Sequence, residues 1–367
     1  MSQFKSILTS NRVRTLAALA VLALTSPGWA AENNSASVCA DVPNSDHPKA
    51  MISNGKLDAL IFLPDAKNGY YRAARFDWGG VVGCVSLNGH KFFGEWFNRY
   101  DPLLNDSITG PVEEFRTDDD QLVPTGHKPG DLAIKVQALG YDEAKPGDPF
   151  VKLGVGVVRR IDEKPYAFGG AYPVIDIGKR TVRIKKNSIT FKQVLKGPQG
   201  YAYVYVKTLS LDKNGTTMTL SHRLKNTGTK IIDTQVYDHD FFMFDGRPIG
   251  QGVELRFHFT PEPQGELGPS ARLEGKNILF QTASGRHSGV AGYIKGFSSD
   301  PVDYNFTVED TNTKVGVQQS SESPISRFYL WSTPRTLAPE AYIHMKIAPG
   351  QTSSWNIHYR FFAPEKQ

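Results

Sequence analysis

The amino-acid sequence predicts an all-β protein built as an antiparallel β-sandwich. Short segments rich in β-branched and aromatic residues recur along the chain with turn residues between them, which is typical of a sandwich. Residues 81–87 form one such segment, and Asn88-Gly89 after it favours a tight hairpin. Residues 201–206 place three tyrosines on one face with the period of two that strands show. No segment combines an apolar helical stripe with caps, so long helices are not expected.

The composition is that of an ordinary globular protein. Of 367 residues, 40% are hydrophobic and 22% are charged, and the 34 glycines suit a chain with many turns. The formal net charge is +5, of which three basic residues belong to the N-terminal thirty, so the remainder is close to neutral. This balance gives no reason to expect a nucleic-acid partner or an anionic lipid surface.

Residues 1–30 have the pattern of a bacterial signal peptide. Basic residues precede an apolar run at 16–24, and the small residues Gly28 and Ala30 follow it. The run is too short to span a bilayer, so we expect cleavage, no membrane anchor afterwards, and a periplasmic or secreted protein. The polar residues 31–50 are expected to be flexible, and residues 51–367 to form a single domain.

Two cysteines, Cys39 and Cys84, remain after the expected cleavage. In an oxidising compartment the two are a disulfide candidate, and two separate buried thiols are the alternative. The nine histidines show no tight metal-ligand spacing, and there is no Gly-rich phosphate loop and no nucleophile elbow. The sequence therefore predicts neither a metal site nor a cofactor.

Two strand-like segments carry chemistry suited to a sugar. In the first, His239 lies between Asp238 and Asp240 and follows Tyr237. Carboxylates raise the pKa of an imidazole, which could then donate a proton to a sugar oxygen, whereas the alternative is a surface strand with a polar face. The second segment mixes aromatic and charged side chains, as sugar sites do, or else forms an ion pair beneath an aromatic cluster. Its candidate substrate-binding residues are Arg72, Arg75, Asp77 and Trp78.

Acidic residues supply two further candidates. Glu113 and Glu114 are framed by apolar residues and could bind hydroxyls or act as acid and base, or belong to a solvated charge run. The aspartates at 118–120 are better explained as a solvated turn than as a calcium site. Glu340 precedes an expected hairpin, where a base could project from a loop; an exposed loop acid is the alternative.

The order of several motifs resembles the aldose 1-epimerase (galactose mutarotase) superfamily. Asn226-Thr227-Gly228 followed by the histidine segment at 237–242 is similar to the family's turn and sugar-binding strand. Pro349-Gly350 before a final aromatic strand, and the early Gly79-Gly80 turn, also match in order. The resemblance covers about residues 51–365 and implies an antiparallel β-supersandwich with the sugar on a concave face.

The resemblance also implies roles for individual residues. His239 matches the histidine that protonates the ring oxygen, and Glu340 is the candidate for the carboxylate that removes the anomeric proton. Arg72 or Arg75 would orient the substrate. Asp238 stands where the family has asparagine, and the second histidine of the galactose branch has no counterpart.

These observations leave three hypotheses for an exported carbohydrate-active protein whose partner is a sugar or oligosaccharide. The first is an aldose 1-epimerase-like isomerase. The second is a polysaccharide lyase or other glycan-cleaving enzyme on the same fold, in which Arg75 neutralises a uronate. The third is a non-catalytic carbohydrate-binding protein.

Overall fold

The computed structural model of the protein describes residues 37–124, 132–282 and 288–366, with only the backbone described at 118–124 and 132–134. Nearly all regular structure in these residues is β-strand. The strands are β1 (Lys49–Ser53), β2 (Leu57–Phe62), β3 (Val81–Leu87), β4 (His90–Lys91), β5 (Val112–Pro124), β6 (Leu132–Gln137), β7 (Pro149–Lys152), β8 (Gly156–Arg159), β9 (Val174–Asp176), β10 (Lys179–Lys185), β11 (Ser188–Lys196), β12 (Ala202–Leu211), β13 (Thr217–Asn226), β14 (Ile232–His239), β15 (Val253–Phe257), β16 (Glu262–Pro263), β17 (Ala271–Glu274), β18 (Asn277–Phe280), β19 (Ala291–Lys295), β20 (Asn305–Asp310), β21 (Val315–Ser320), β22 (Arg327–Ser332), β23 (Leu337–Ile347) and β24 (Thr352–Phe362). Two short 3₁₀ turns cover Phe244–Gly246 and Pro301–Asp303.

Two large antiparallel sheets dominate the architecture. One has ten strands in the order β10-β11-β12-β13-β24-β21-β20-β15-β18-β17, and the other has seven in the order β16-β19-β22-β23-β14-β5-β6. Smaller sheets contain β1 to β4 and β7 to β9. The predicted all-β fold class is confirmed. The hairpin expected at Asn88-Gly89 joins β3 to β4, and both turn residues have the positive φ that its primed turn requires.

The two large sheets differ in which of their faces are buried. In β12 the buried residues alternate with half-buried ones, so one face lies on the core and the other faces outward. In β14, by contrast, seven of the eight residues are buried. The seven-stranded sheet is covered on both sides, since one apolar cluster joins it to the ten-stranded sheet and a second cluster lies on its other face. A strand in this position presents one set of side chains to each buried layer.

A disulfide joins Cys39 to Cys84, with 5.6 Å between their Cα atoms. It connects the turns at residues 37–48 to strand β3, and both cysteines are fully buried. The expected signal peptide lies outside the described residues. In the part of the chain that the structure describes, no helix is long and apolar enough to cross a membrane.

Candidate active site

Strand β14 divides the predicted histidine segment between two layers. Tyr237 and His239 point to the second apolar cluster, on the face of the seven-stranded sheet away from the ten-stranded one. Asp238 and Asp240 point between the two large sheets. Neighbouring β5 does the same, because its residue opposite Tyr237 is Glu114 and its residue opposite Asp238 is Glu113. These candidate residues therefore belong to two separate polar clusters.

His239 and Glu340 form the centre of the first cluster. His239 Nε2 lies 3.4 Å from Glu340 Oε1, and both residues are 3% exposed. Strand β23 pairs with β14, and continuing their register brings these two residues opposite each other. The expectation that Glu340 projects from a loop is wrong, because it lies inside β23. From two residues further along β23, the Tyr342 hydroxyl donates a 2.9 Å hydrogen bond to Glu340 Oε2.

Aromatic rings enclose the imidazole of His239. The ring of Phe241 stacks on it at a centroid distance of 3.8 Å, and Phe76 and Trp331 approach with their edges at 5.6 and 5.1 Å. Its Nδ1 atom is buried with no hydrogen-bond partner among the described residues. This apolar surrounding favours the neutral form of every ionisable group within it.

Burial therefore sets the protonation of the pair. It lowers the pKa of His239 well below its ordinary value, and the positive charge of Arg75 lowers it further. Burial raises the pKa of Glu340 to about 8, although Arg75 and Arg116 oppose that rise. Near neutral pH, His239 is therefore a neutral imidazole and Glu340 is a protonated carboxylic acid, so the acidic proton of the pair resides on Glu340.

Arg75 and Glu114 form a buried ion pair beside this centre. Arg75 Nε donates to Glu114 Oε2 at 2.9 Å, and its Nη1 donates to Asp106. The Tyr237 hydroxyl also donates to Glu114 Oε2, at 2.5 Å. Lys152 Nζ lies 4.0 Å from the other oxygen of Glu114. Arg75 is thus held by internal carboxylates rather than left free for a ligand.

Arg116 and Phe168 complete the cluster on the solvent side. Arg116 donates a 2.8 Å hydrogen bond to the Tyr342 hydroxyl. The guanidinium groups of Arg75 and Arg116 lie 4.6 and 5.6 Å from the Phe168 ring, which is 42% exposed. The sequence patterns described above predict none of these three contacts. The period of two was the available signal, because Arg116 lies two residues after Glu114 and Tyr342 two residues after Glu340.

Glu113 belongs to the second cluster, between the large sheets. Its carboxylate contacts Lys207 and lies 2.7 Å from His222 Nε2, while Lys207 Nζ lies 3.9 Å from Asp77. Burial opposes the charge of Glu113, but Lys207 and His222 outweigh it and lower its pKa to about 2. Burial raises the pKa of Asp77 to about 6. This closed network balances charges within the core.

Asp238 and Asp240 share one partner in the same layer. The Tyr359 hydroxyl lies 2.6 Å from Asp238 and 2.8 Å from Asp240. One hydroxyl donates only one hydrogen, so the second contact requires a protonated carboxyl. Burial accordingly raises the pKa of Asp238 to about 8 and that of Asp240 well above its ordinary value. These aspartates do not contact His239 with their side chains.

Within the described residues, neither Trp78 nor Arg72 forms a hydrogen bond or an ion pair with His239 or Glu340. Trp78 is 3% exposed, and its indole donates a 2.8 Å hydrogen bond to the carbonyl of Ala73. Its ring is therefore part of the core and presents no face to a sugar. Arg72 is half-buried, and its backbone amide bonds the carbonyl of Pro102. Of the predicted site residues, the structure brings together His239, Glu340, Arg75, Glu114 and Tyr237.

Comparison with solved structures identifies the architecture. The chain resembles the Slr1438 protein from Synechocystis sp. PCC 6803, with a TM-score of 0.53 and 13% identity over 87% of this chain and 97% of that one. It also resembles a candidate aldose 1-epimerase from Escherichia coli K12, with a TM-score of 0.52 and 10% identity over 86% and 99% of the two chains. The chain has the galactose mutarotase-like fold.

A third similar structure is the GalM/aldose epimerase homologue from C. elegans, with a TM-score of 0.50 and 12% identity over 86% of this chain and 98% of that one. No protein-family model matches the chain, and no curated protein matches it. Because the identities are this low, the similarity shows the fold and not the reaction.

Proposed function

We propose that the protein is an aldose 1-epimerase-like isomerase that interconverts the anomers of a sugar by acid–base chemistry at His239 and Glu340. The observation that carries the proposal is the 3.4 Å contact between His239 Nε2 and Glu340 Oε1. Buried, unevenly titrating pairs of this kind are typical of catalytic acid–base groups.

The reaction needs one proton to be given and one to be taken. Opening the sugar breaks the bond between C1 and the ring oxygen, which gains a proton, while the anomeric hydroxyl loses its proton and becomes the carbonyl. A pair that holds one proton supplies both functions, because one member donates and the other accepts. After rotation about the C1–C2 bond, the reverse transfers close the ring as the other anomer and restore the pair.

The proton's position modifies the roles implied by the family resemblance. That resemblance makes His239 the acid and Glu340 the base. With the proton on Glu340, the carboxylic acid protonates the ring oxygen and the neutral imidazole accepts the proton of the anomeric hydroxyl. Whether His239 or Glu340 is the acid, one proton is donated and one is accepted. During ring closure the residue that donated a proton accepts one, and the other residue donates.

Access to the pair requires movement of its cover. Phe76, Phe241 and Trp331 enclose the imidazole of His239, so a sugar contacts the pair only after such rings shift. Phe168 stacks on Arg75 beside the pair and is 42% exposed, more than the half-buried Trp331. We therefore place the entry for the sugar at Phe168. The aromatic faces would then contact the C–H face of a pyranose.

The proposal includes export to the periplasm or the exterior of a bacterial cell. The signal-like residues 1–30 support it, and so does the Cys39–Cys84 disulfide, since such bonds persist in oxidising compartments. The lyase alternative receives less support, because Arg75 is already neutralised by Glu114 and Asp106 and is poorly placed to grip a uronate.

The deciding experiment follows α/β anomer exchange by NMR with a panel of free aldoses. The wild-type protein should accelerate the exchange of at least one of them. His239→Gln and Glu340→Gln should each reduce that acceleration by roughly 10²–10⁴-fold. His344→Gln is a matched control, since His344 pairs with Asp233 at 2.7 Å across the same two strands but is exposed to solvent. It should keep full activity.

Three outcomes would contradict the proposal. Full activity in His239→Gln would remove the histidine from the reaction. Vinylic signals from uronate polymers without anomer exchange would favour the lyase alternative. Saturable sugar binding with no turnover would leave a non-catalytic binding protein.

A further inference from the structure

At one end of the ten-stranded sheet, all the charged residues of four consecutive strands are basic. Strands β10 to β13 contain no aspartate or glutamate over their whole length. Their side chains alternate between the two faces of the sheet, and the outward set includes Lys179, Arg183 and Lys185 on β10 and Lys192 and Lys196 on β11. All five are exposed. We call the outward side of β10 to β13 the basic face.

Strand β13 extends the basic face with Arg223 and Lys225. Arg223 is exposed and Lys225 is half-buried. The register places Lys192 opposite Val206 and Val206 opposite Arg223, so the two cations occupy one row across three strands. Adjacent strands lie about 4.8 Å apart, which puts the Cα atoms of Lys192 and Arg223 about 10 Å from each other. Neighbouring outward residues along one strand are about 7 Å apart.

These cations are not paired with acids in the described parts of the chain. None of the seven makes an ion pair with a carboxylate in the described parts of the chain. At the other end of the same sheet the arrangement is different, because Arg256 there is bonded to Glu254 and Glu309. The seven charges also exceed the net +5 of the whole chain. A dense unbalanced array of this kind attracts a polyanion.

The side chains between the cations indicate which polyanion fits. Outward positions hold hydroxyl groups, among them Thr190 and Thr208, whose oxygens lie 3.0 Å apart. No aromatic residue of these four strands faces outward, so the face lacks the stacking platform that single-stranded nucleic acids use. The outward valines Val194, Val204 and Val206 are half-buried and offer little to insert into a membrane, and the exposed Val182 and Ile184 lie on the opposite face of β10.

We propose that the basic face binds an anionic polysaccharide, carboxylated or sulfated, lying across the strands. Its acidic groups would accept charge-assisted hydrogen bonds from the lysines and arginines, and its hydroxyls would meet those of the threonines and serines. The face lies on a different sheet from His239 and Glu340. The proposal is therefore independent of the reaction proposed above and adds a second carbohydrate contact to the molecule.

The test measures binding of the full chain to heparin, polygalacturonate and neutral dextran at several salt concentrations. The two acidic polymers should bind, with affinity falling steeply as salt rises, and dextran should not. The triple variant Lys192→Glu, Arg223→Glu and Lys225→Glu should weaken binding at least tenfold and flatten the salt dependence. A matched triple variant reverses three exposed lysines elsewhere, Lys56, Lys67 and Lys295, and should bind as the wild type does.

The following results would overturn the proposed binding of an anionic polysaccharide. Unchanged binding in the first triple variant, or no binding of either acidic polymer by the wild type, would overturn it. Tighter binding of single-stranded DNA or of phosphatidylglycerol vesicles than of both polysaccharides would also overturn the choice of partner. The corresponding triple glutamine variant guards against a folding defect caused by charge reversal. Anomer exchange should be unchanged in all of these variants, so the two proposals succeed or fail separately.

Discussion

Glu113 and Glu114 are consecutive residues of β5, yet their carboxylates lie in different layers of the molecule. Glu113 Oε1 is 2.7 Å from His222 Nε2 between the two large sheets, and Glu114 Oε2 is 2.9 Å from Arg75 Nε beside the His239–Glu340 pair. Two buried acids one residue apart therefore serve the core and the candidate active site respectively.

Replacing each glutamate by glutamine should separate these roles. Glu113→Gln leaves the buried Lys207 without its main carboxylate and should lower the free energy of unfolding by about 3–5 kcal/mol. Glu114→Gln removes a negative charge that raises the pKa of Glu340, so that pKa should fall. The pH profile of anomer exchange should then move to lower pH in Glu114→Gln only. Urea unfolding and pH–rate measurements on both variants check this, and equal shifts in both profiles would contradict it.

Glu340 should make the fold less stable as pH rises. Its pKa is about 8 in the folded protein, against an ordinary value of 4.5. Between these values the unfolded chain releases a proton that the folded chain retains, so stability falls from about pH 5 to pH 8. Glu340→Gln should flatten this decline in part, because Asp238, with a raised pKa, contributes in the same direction.

Urea midpoints measured at pH 5, 6.5 and 8 test this expectation. Glu266→Gln is the control, since Glu266 is exposed, and its midpoints should follow those of the wild type. A decline in Glu340→Gln as steep as in the wild type would show that the carboxyl of Glu340 is ionised in the folded protein.

The Cys39–Cys84 disulfide should contribute substantially to stability. It joins residues 45 apart and removes about 3–4 kcal/mol of loop-closure freedom from the unfolded chain. The double variant Cys39→Ser and Cys84→Ser should unfold at correspondingly lower urea concentration. Dithiothreitol should lower the midpoint of the wild type and leave the double variant unchanged. A wild-type midpoint insensitive to reduction would show that the bond adds nothing.

Gly110 should tolerate no side chain. A Cβ atom at this position would lie 2.5 Å from the carbonyl oxygen of His239 and would also contact that of Asp240. Because the obstacle is backbone, Gly110→Ala should displace β14, cost roughly 1–3 kcal/mol and reduce anomer exchange. Gly169→Ala is the matched control, since open space surrounds that position, and its effect should stay within about 0.5 kcal/mol. Equal stability of the two variants would contradict the close approach.

Local patterns in the sequence predict the fold well and the site only partly. Strand alternation and the Asn88-Gly89 turn depend on residues close in sequence, and the structure contains the corresponding strands and hairpin. His239 and Glu340 are brought together by pairing of β14 with β23, which the sequence indicates only through a family resemblance. Applying the period of two to the histidine segment would have separated Asp238 and Asp240 from His239 beforehand.

The contact between Lys207 and Glu113 is one that local sequence patterns do not predict. The inward position of Lys207 in β12, between Tyr205 and Leu209, could have identified it as a buried lysine. Its partner Glu113 lies on a strand of the other sheet, however, and no local pattern specifies that pairing. Contacts between sheets depend on how the two sheets are stacked, which is set by the whole core.

Burial of β14 on both faces has a consequence for how this sequence can change. Deleting or inserting one residue before Tyr237 would move every later side chain of the strand to the opposite layer. The imidazole of His239 would then enter the core, and an aspartate would face Glu340 in its place. Substitutions along β14 can alter the chemistry gradually, whereas a change in its length would exchange the contents of two layers in a single step.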